Sequence, residues 1–329
     1  MHAVEAVEFG APSVLRVIEL PDPVPGPGEV TIDVSHAAVG LIDLLMRQGQ
    51  FKDAPGMPQP PFVPGLEVTG AIRALGEGVT GFSVGEKVVA LSSGGSGGYS
   101  SIKVAGASQI VSIEGAGIDP AIAVSVIPNA AMVHVAMTAV AHLREGETVL
   151  VHGALGGFAS AVPGVAKRLG ASRVVGTVRP SKLEAAQATK LPYDLIVDST
   201  DLGTLGDERF DIIIDSVGGD LRSASLGLLR PGGRLIVAGN ASNDWAHTVP
   251  TNTLWLGSLT VSGFNAGAFL PTHPELLAPA LKAAVEVVSA GLGQTVVDVH
   301  SFSDAVAAHT RMEDRTLDGR VVLVPDTNR

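Results

Sequence analysis

Apolar positions change their rhythm about a third of the way along the chain. Up to about Ser125 they come in short alternating segments, at Val4 to Glu8, Leu15 to Glu19, Val30 to Val34, Glu67 to Ala74, Lys87 to Leu91, Gly98 to Val104 and Gln109 to Ile113. Alternation this short predicts half-buried strands and a β-rich first domain. The connector Pro21-Asp22-Pro23-Val24-Pro25-Gly26-Pro27-Gly28 is a rigid turn, since strand patterning resumes directly after it. From Thr148 onward, continuous apolar runs alternate with helical patterning. Strands are expected at Thr148 to Val151, Arg173 to Val178, Asp194 to Val197, Asp211 to Asp215, Arg234 to Ala238 and Ser258 to Gly263, with helices at Phe158 to Leu169, Ser181 to Thr189 and Asp220 to Leu229. Strands apolar on both faces belong in a parallel sheet covered by helices, so the expected fold class is α/β with a doubly wound sheet. A helix from Pro274 to Ala290, a strand at Val296 to Val299, a helix from Ser303 to Met312 and a strand at Val321 to Val324 are expected to return to the first domain. The division expected is 1–124 with 266–329 for the β-rich domain and 125–265 for the inserted one, with a ligand cleft between them.

Composition narrows the partners. The 329 residues are 46% hydrophobic and 17% charged, enough apolar material for a large core. A formal net charge of -11 speaks against nucleic acid and anionic membrane surfaces and leaves small-molecule chemistry. The absence of cysteine removes disulfides, thiolate nucleophiles and every cysteine-based zinc site. Met1-His2-Ala3-Val4-Glu5 has neither a basic nor an apolar signal region, so a cytoplasmic location is expected. Ala121 to Leu143 has the length of a membrane span and no charge while its histidines are neutral. Pro128 and Asn129 interrupt it, His134 and Thr138 lie inside it, and its alanines suit closely packed core helices.

The segment Val149 to Ala161 carries the candidate chemistry. A strand running into a glycine-rich turn and then a helix aims several backbone N–H groups, and the positive end of a helix dipole, at one place. An anion suits that place. The strict dinucleotide spacing would put glycines where this chain has Ala154, Gly156 and Ala159. Gly156 still allows close approach of a pyrophosphate, and Ala159 allows tight helix–strand packing. Gly153, Gly157 and Phe158 complete the turn, for which the plain alternative is a glycine-rich turn that binds nothing. Pro163 and Gly164 follow inside the helix, where proline removes a backbone hydrogen bond and is expected to bend it. Ser199 to Arg209 leaves room only for a loop or one helical turn. The run Ser92 to Gly98 reads as a flexible loop or as close backbone approach to a ligand.

Motifs in order along nearly the whole chain resemble the zinc-independent medium-chain dehydrogenases/reductases, in their quinone oxidoreductase (zeta-crystallin-like) branch. They are Val7-Glu8-Phe9-Gly10-Ala11-Pro12-Ser13-Val14-Leu15, Pro25-Gly26-Pro27-Gly28-Glu29-Val30, Val63-Pro64-Gly65-Leu66-Glu67, Gly76-Glu77-Gly78-Val79, Gly85-Glu86-Lys87-Val88, Gly98-Tyr99, Thr138-Ala139, the glycine turn, Asp215-Ser216-Val217-Gly218-Gly219, Pro231-Gly232-Gly233-Arg234 and Gly239-Asn240. The resemblance implies a GroES-like substrate domain split around a Rossmann domain, a reduced nicotinamide cofactor and a homodimer. Related alcohol dehydrogenases hold zinc with cysteine and histidine at the equivalents of Val39 or Gly40 and Leu66. Those ligand side chains are absent here, and the nine histidines show no close paired spacing with carboxylates, so no metal is expected.

Cofactor choice turns on the end of the second parallel strand, where an NAD enzyme places an acidic residue on the ribose hydroxyls. Here the stretch is Val174-Val175-Gly176-Thr177-Val178-Arg179-Pro180-Ser181-Lys182, without an acid. Arg179 and Lys182, with Thr177 and Ser181 as hydroxyl donors, suit a 2′-phosphate and hence NADPH, the alternative being a solvated helix start. Arg320 is a third basic candidate that the resemblance implies. Thr138, Asn240 and Phe264 are expected to place the nicotinamide, with Ser216 and Gly239 also on the cofactor side. Where the family usually has an asparagine at 40 and often tyrosines near 45 and 51, this chain has Gly40, Leu45 and Phe51, which with Leu66 make an apolar substrate pocket. Asp43 is retained, and a hydrogen bond to the local backbone is expected of it rather than acid catalysis. The function expected is metal-free hydride transfer from NADPH to a quinone or an α,β-unsaturated carbonyl compound, with the proton drawn from water. Alternatives are an enoyl reductase of a biosynthetic pathway and a non-catalytic NADPH-binding homologue.

Overall fold

Antiparallel pairing governs the first hundred residues of the computed structural model, which describes residues 1–92, 96–314 and 319–326. Strand β1 (His2–Ala6) pairs with β2 (Leu15–Glu19). There follow β3 (Glu29–Val39), helix α1 (Leu41–Arg47), β4 (Glu67–Leu75), β5 (Lys87–Leu91), β6 (Ile102–Gly106) and β7 (Ile110–Ser112). Helix α2 (Pro120–Val135), continued by a π-helical turn at Ala136–Val140, leads to a second series. That series is β8 (Thr148–His152), α3 (Gly157–Arg168), β9 (Arg173–Val178), α4 (Leu183–Ala188), β10 (Leu195–Asp198), β11 (Phe210–Asp215), α5 (Asp220–Leu226), β12 (Leu229–Val237), α6 (Thr251–Gly257), β13 (Thr260–Gly263) and α7 (Ala266–Phe269). The chain closes with α8 (Leu277–Ser289), β14 (Val297–Ser301), α9 (Ala305–Glu313) and β15 (Arg320–Val324).

Contacts divide these elements into two compact units, one of Met1–Pro128, Leu277–Ser289 and Val296–Arg329, the other of Asn129–Leu276 and Ala290–Thr295. In the first unit the main sheet runs β14-β15-β3-β4-β5-β7, with β6 also paired to β3. Its pairs are antiparallel except β14 with β15. Val30, Ile32, Ile72, Val88, Tyr99 and Phe302 are among its core residues. In the second unit six strands run β10-β9-β8-β11-β12-β13, every pair parallel. Counted within the unit this is the order 3-2-1-4-5-6 of a doubly wound nucleotide fold, which reverses direction between β8 and β11.

Several expectations need correction. Helix α2 runs unbroken through Pro128 and Asn129, and 72% of the apolar window within Pro120–Val140, which has the length and composition of a membrane span, is buried inside the protein. Strand β1 begins and ends two residues earlier than alternation suggests, and β12 takes in the Pro231-Gly232-Gly233 turn. Helices α1, α6 and α7 carry no apolar period long enough to announce them. Pro163 lies inside α3, which continues to Arg168 without interruption. The short connection after β10 agrees with expectation in holding a single helical turn, the 3₁₀ turn Leu202–Leu205. Of the run Ser92 to Gly98, residues 93–95 lie outside the described residues.

Phe210 is fully buried on β11 and shares a core with Leu150, Val175, Ile213, Leu229 and Leu235. Phe210→Ala should lower stability by about 3–5 kcal/mol, read from urea unfolding. A loss of less than about 1 kcal/mol would contradict this packing.

Candidate cofactor site

Ligands of doubly wound sheets bind beyond the carboxyl ends of the strands where the order reverses. Here those ends are His152 on β8 and Asp215 on β11, both with no exposed surface. Gly153 follows with φ +73, a conformation that favours glycine, and Gly156 caps the start of α3 in extended backbone. The turn is tied down by Ala154 N donating to Thr177 O at 2.9 Å, Gly156 N to Gly153 O at 2.7 Å and Ser160 N to Gly156 O at 2.7 Å. Ala154 and Ala159 are buried against the protein.

Beneath the turn lies a polar layer. The Ser225 hydroxyl donates to Leu221 O at 2.7 Å, so its oxygen is left to accept from His152 Nε2 at 2.8 Å. His152 Nδ1 then accepts from Thr177 Oγ1 at 2.9 Å. Burial pushes the imidazole down to about 4, against the attraction of Asp215, so the ring is neutral. Asp215 accepts from Val217 N and Gly218 N, each at 2.8 Å, and from Arg222 Nε at 2.6 Å. Arg222 also donates to Gly239 O at 2.8 Å, strapping the loop after β11 to the loop after β12. A Cβ at Gly218 would stand 2.3 Å from Asn240 Oδ1, so glycine there keeps the two loops close.

Many of the expected cofactor residues gather at these strand ends. Phe158, at the start of α3, lies 6.2 Å from the ring of Phe264, the residue after β13, which in turn lies 6.0 Å from Phe269. Gly239 and Asn240 lie in the loop after β12, and Thr138 is exposed in the π-helical turn, its hydroxyl donating to His134 O at 2.7 Å. Arg179 is half-buried ahead of the 3₁₀ turn Pro180–Lys182, in which Ser181 is exposed and Lys182 half-buried. Three residues are committed elsewhere. Thr177 is fully buried and bonded to His152, because β9 is covered on both faces and its side chain points inward. The Ser216 hydroxyl donates to His152 O at 3.1 Å. Arg320 is buried on β15 and paired with Glu67 at 3.1 Å. Sequence reading missed His152, Arg222 and Ser225, whose only signal is a polar residue inside or beside an apolar run.

The candidate pocket residues belong to the first unit. Gly40 precedes α1 and donates its N–H to Asp43 Oδ2 at 2.8 Å, while Gly65 N donates to Oδ1 at 3.2 Å. Tyr99 Oη lies 3.2 Å from Asp43 Oδ2 and 3.2 Å from His309 Nε2. Phe51 and Leu66 pack against the core of this unit, and Leu45 is half-buried on α1. Burial pushes the Asp43 carboxyl up to about 7, with Glu67 adding to the rise and the bonds from Gly40, Tyr99 and Gly65 opposing it. His309 is pushed down to about 3 by burial and by Arg47. Asp43 therefore fixes the backbone at the start of α1. No side chain equivalent to a zinc ligand stands at Gly40 or Leu66, and among the described residues no group of three or more metal-binding side chains forms.

A raised carboxyl pKa means that the folded chain keeps a proton the unfolded chain releases. The stability this contributes is fully present below the ordinary value of 3.8 and is lost as pH rises toward about 7. Measured by urea unfolding, the advantage of the wild type over Asp43→Asn should shrink by up to about 4 kcal/mol between pH 4 and 7. A difference that is flat with pH would contradict the assignment.

Comparison with known proteins agrees with this architecture. Residues 26–115 match the alcohol dehydrogenase GroES-like domain, and residues 169–323 match the family model described as zinc-binding dehydrogenase. Among relatives, the synaptic vesicle membrane protein VAT-1 homolog of Danio rerio is 29% identical over 91% of the chain, which spans only 64% of that protein's length. A quinone oxidoreductase of Pseudomonas aeruginosa is 28% identical, covering 98% of this chain and 99% of its own. Among solved structures, a mycobacterial quinone oxidoreductase is 30% identical over 99% of this chain and 100% of its own, with a TM-score of 0.83. The quinone oxidoreductase of Escherichia coli, solved with NADPH, is 25% identical over 99% and 100%, with a TM-score of 0.84. The GroES-like unit, the parallel sheet of order 3-2-1-4-5-6 and likeness over the full chain place this protein in the medium-chain dehydrogenase/reductase family, in its quinone oxidoreductase branch.

Proposed function

We propose that this chain binds NADPH and transfers hydride to a quinone or an α,β-unsaturated carbonyl compound without a metal ion. The observation that carries the reading is the pairing of a glycine turn at the sheet's reversal point with a basic, acid-free segment, Arg179 to Lys182, directly after the neighbouring strand. The N–H groups and dipole of α3 suit the pyrophosphate, and Gly153 and Gly156 allow it to come close. Arg179, Lys182 and the exposed Ser181 suit the 2′-phosphate through charge-assisted hydrogen bonds. Asn240, Thr138 and Phe264 are the residues to border the nicotinamide. The E. coli relative solved with NADPH supports this cofactor.

Bound NADPH supplies the hydride, and the protein supplies proximity and exclusion of water. His152 and Asp215 hold the strand ends and take no part in proton transfer, since both are buried and fully engaged. Asp43 is likewise committed to backbone amides, so the proton is drawn from water. The donor set does not suit zinc, because the chain has no cysteine and position 66 is leucine. A cytoplasmic homodimer belongs to the same reading. In support, β13 is paired on one side only among the described residues, and Trp255 and Leu256 on α6 are each 77% exposed.

Replacing both Arg179 and Lys182 by alanine should weaken NADPH at least tenfold in a fluorescence titration and leave NADH within about twofold. Equal losses for both cofactors would sink the 2′-phosphate assignment. With NADPH bound, product analysis using quinones and enones separates hydroquinone formation from reduction at carbon, the outcome expected of an enoyl reductase. Binding without oxidation by any acceptor would identify the non-catalytic alternative.

A further inference from the structure

A carbonyl in an α-helix accepts from the amide four residues on. In α3 the carbonyl of Ala159 faces position 163, and Pro163 has no N–H to give. The hydroxyl of Tyr193, which precedes β10, lies 2.8 Å from Ala159 O and 3.1 Å from Ala154 O. The phenol has a single proton, shared between the two carbonyls in a bifurcated bond whose shorter arm goes to Ala159, and so reaches both the first turn of α3 and the glycine turn ahead of it. Room for the ring is made by Gly176 on β9, where a Cβ would stand 3.1 Å from the Tyr193 ring and 2.7 Å from Ala154 Cβ. Burial holds the phenol well above its ordinary range, so it stays a donor.

We propose that Tyr193 is a positioning residue for the cofactor's pyrophosphate, its hydroxyl replacing the amide that Pro163 withholds and pinning the carbonyls behind the turn. The peptide plane is rigid, so holding Ala154 O also fixes the N–H of Leu155 on the opposite edge of the same plane. The phenol therefore sets the direction of an amide in the turn without touching the ligand. The proposal rests on the reading that NADPH binds at this turn, and it adds a residue 34 positions away from Ala159 that the dinucleotide spacing does not contain.

Wild type, Tyr193→Phe, Pro163→Ala and the double variant form a cycle, read by urea unfolding and by titration with NADPH and with 2′-AMP, which carries the 2′-phosphate but no pyrophosphate. Tyr193→Phe should lower the urea midpoint and weaken NADPH about three- to tenfold while 2′-AMP stays within about twofold. Both effects should shrink in the Pro163→Ala background, where the restored amide serves Ala159 O. Equal effects in the two backgrounds, or equal losses for NADPH and 2′-AMP, would overturn the proposal. A wild type that binds no NADPH overturns the functional reading and the pyrophosphate role with it. NADPH binding by the wild type that Tyr193→Phe leaves unmoved overturns this inference alone.

Discussion

His152 is buried at the end of β8, so both its ring nitrogens must find partners inside the protein, and those it has lie on two other elements. Thr177 is on β9 and Ser225 on α5, and the three side chains fix the level at which these elements meet beneath the glycine turn. An unmade bond here would leave a buried polar group at a cost of about 1–3 kcal/mol, a large share of any domain's stability. The arrangement is therefore strongly specified. Asp215 does the same for the other side of the reversal point, with Arg222 carrying its charge and reaching the loop after β12. The glycine turn itself presents backbone, and side chains below it determine where that backbone lies.

The first unit uses buried polarity for a similar purpose with different groups. Asp43 collects amides from both Gly40 and Gly65, so one carboxylate holds the start of α1 to the turn before β4. Tyr99 and His309 extend the contact to α9. The carboxyl is held near neutrality because burial outweighs those bonds. A group so enclosed is suited to shaping backbone and poorly placed to exchange protons with a substrate.

The parallel sheet was legible because strands buried on both faces are written as runs such as Val149-Leu150-Val151 and Ile212-Ile213-Ile214. The same property hid Thr177. Where every residue of β9 from Val174 onward is buried, alternation does not tell which side chains face a ligand, and the hydroxyl reads as available when it is bonded inside. The ion pair of Arg320 was hidden for another reason: its partner Glu67 is 253 residues away, and no local pattern records such a pair. Helix α6 has no buried residue and therefore no apolar stripe to reveal it. Gly40 and Asp43 did carry a helix-start signal, an acidic side chain three residues after a glycine, but in a seven-residue helix it lacked a following period.

Pro163 shows how a broken local rule can be made good at a distance. Read along the chain, it removes a hydrogen bond from a helix whose first turn should meet a pyrophosphate, and so weakens the case for a cofactor site. In space the missing donor is supplied by a phenol that also grips the turn, and Gly176 gives up its own side chain to admit the ring. The three positions make sense only together, since the proline leaves an acceptor, the tyrosine satisfies it and the glycine makes the approach possible. An amide donor within α3 would satisfy Ala159 alone, whereas the phenol ties Ala159 to Ala154. What looked like a defect in the helix thereby couples the helix to the loop that orients its amides.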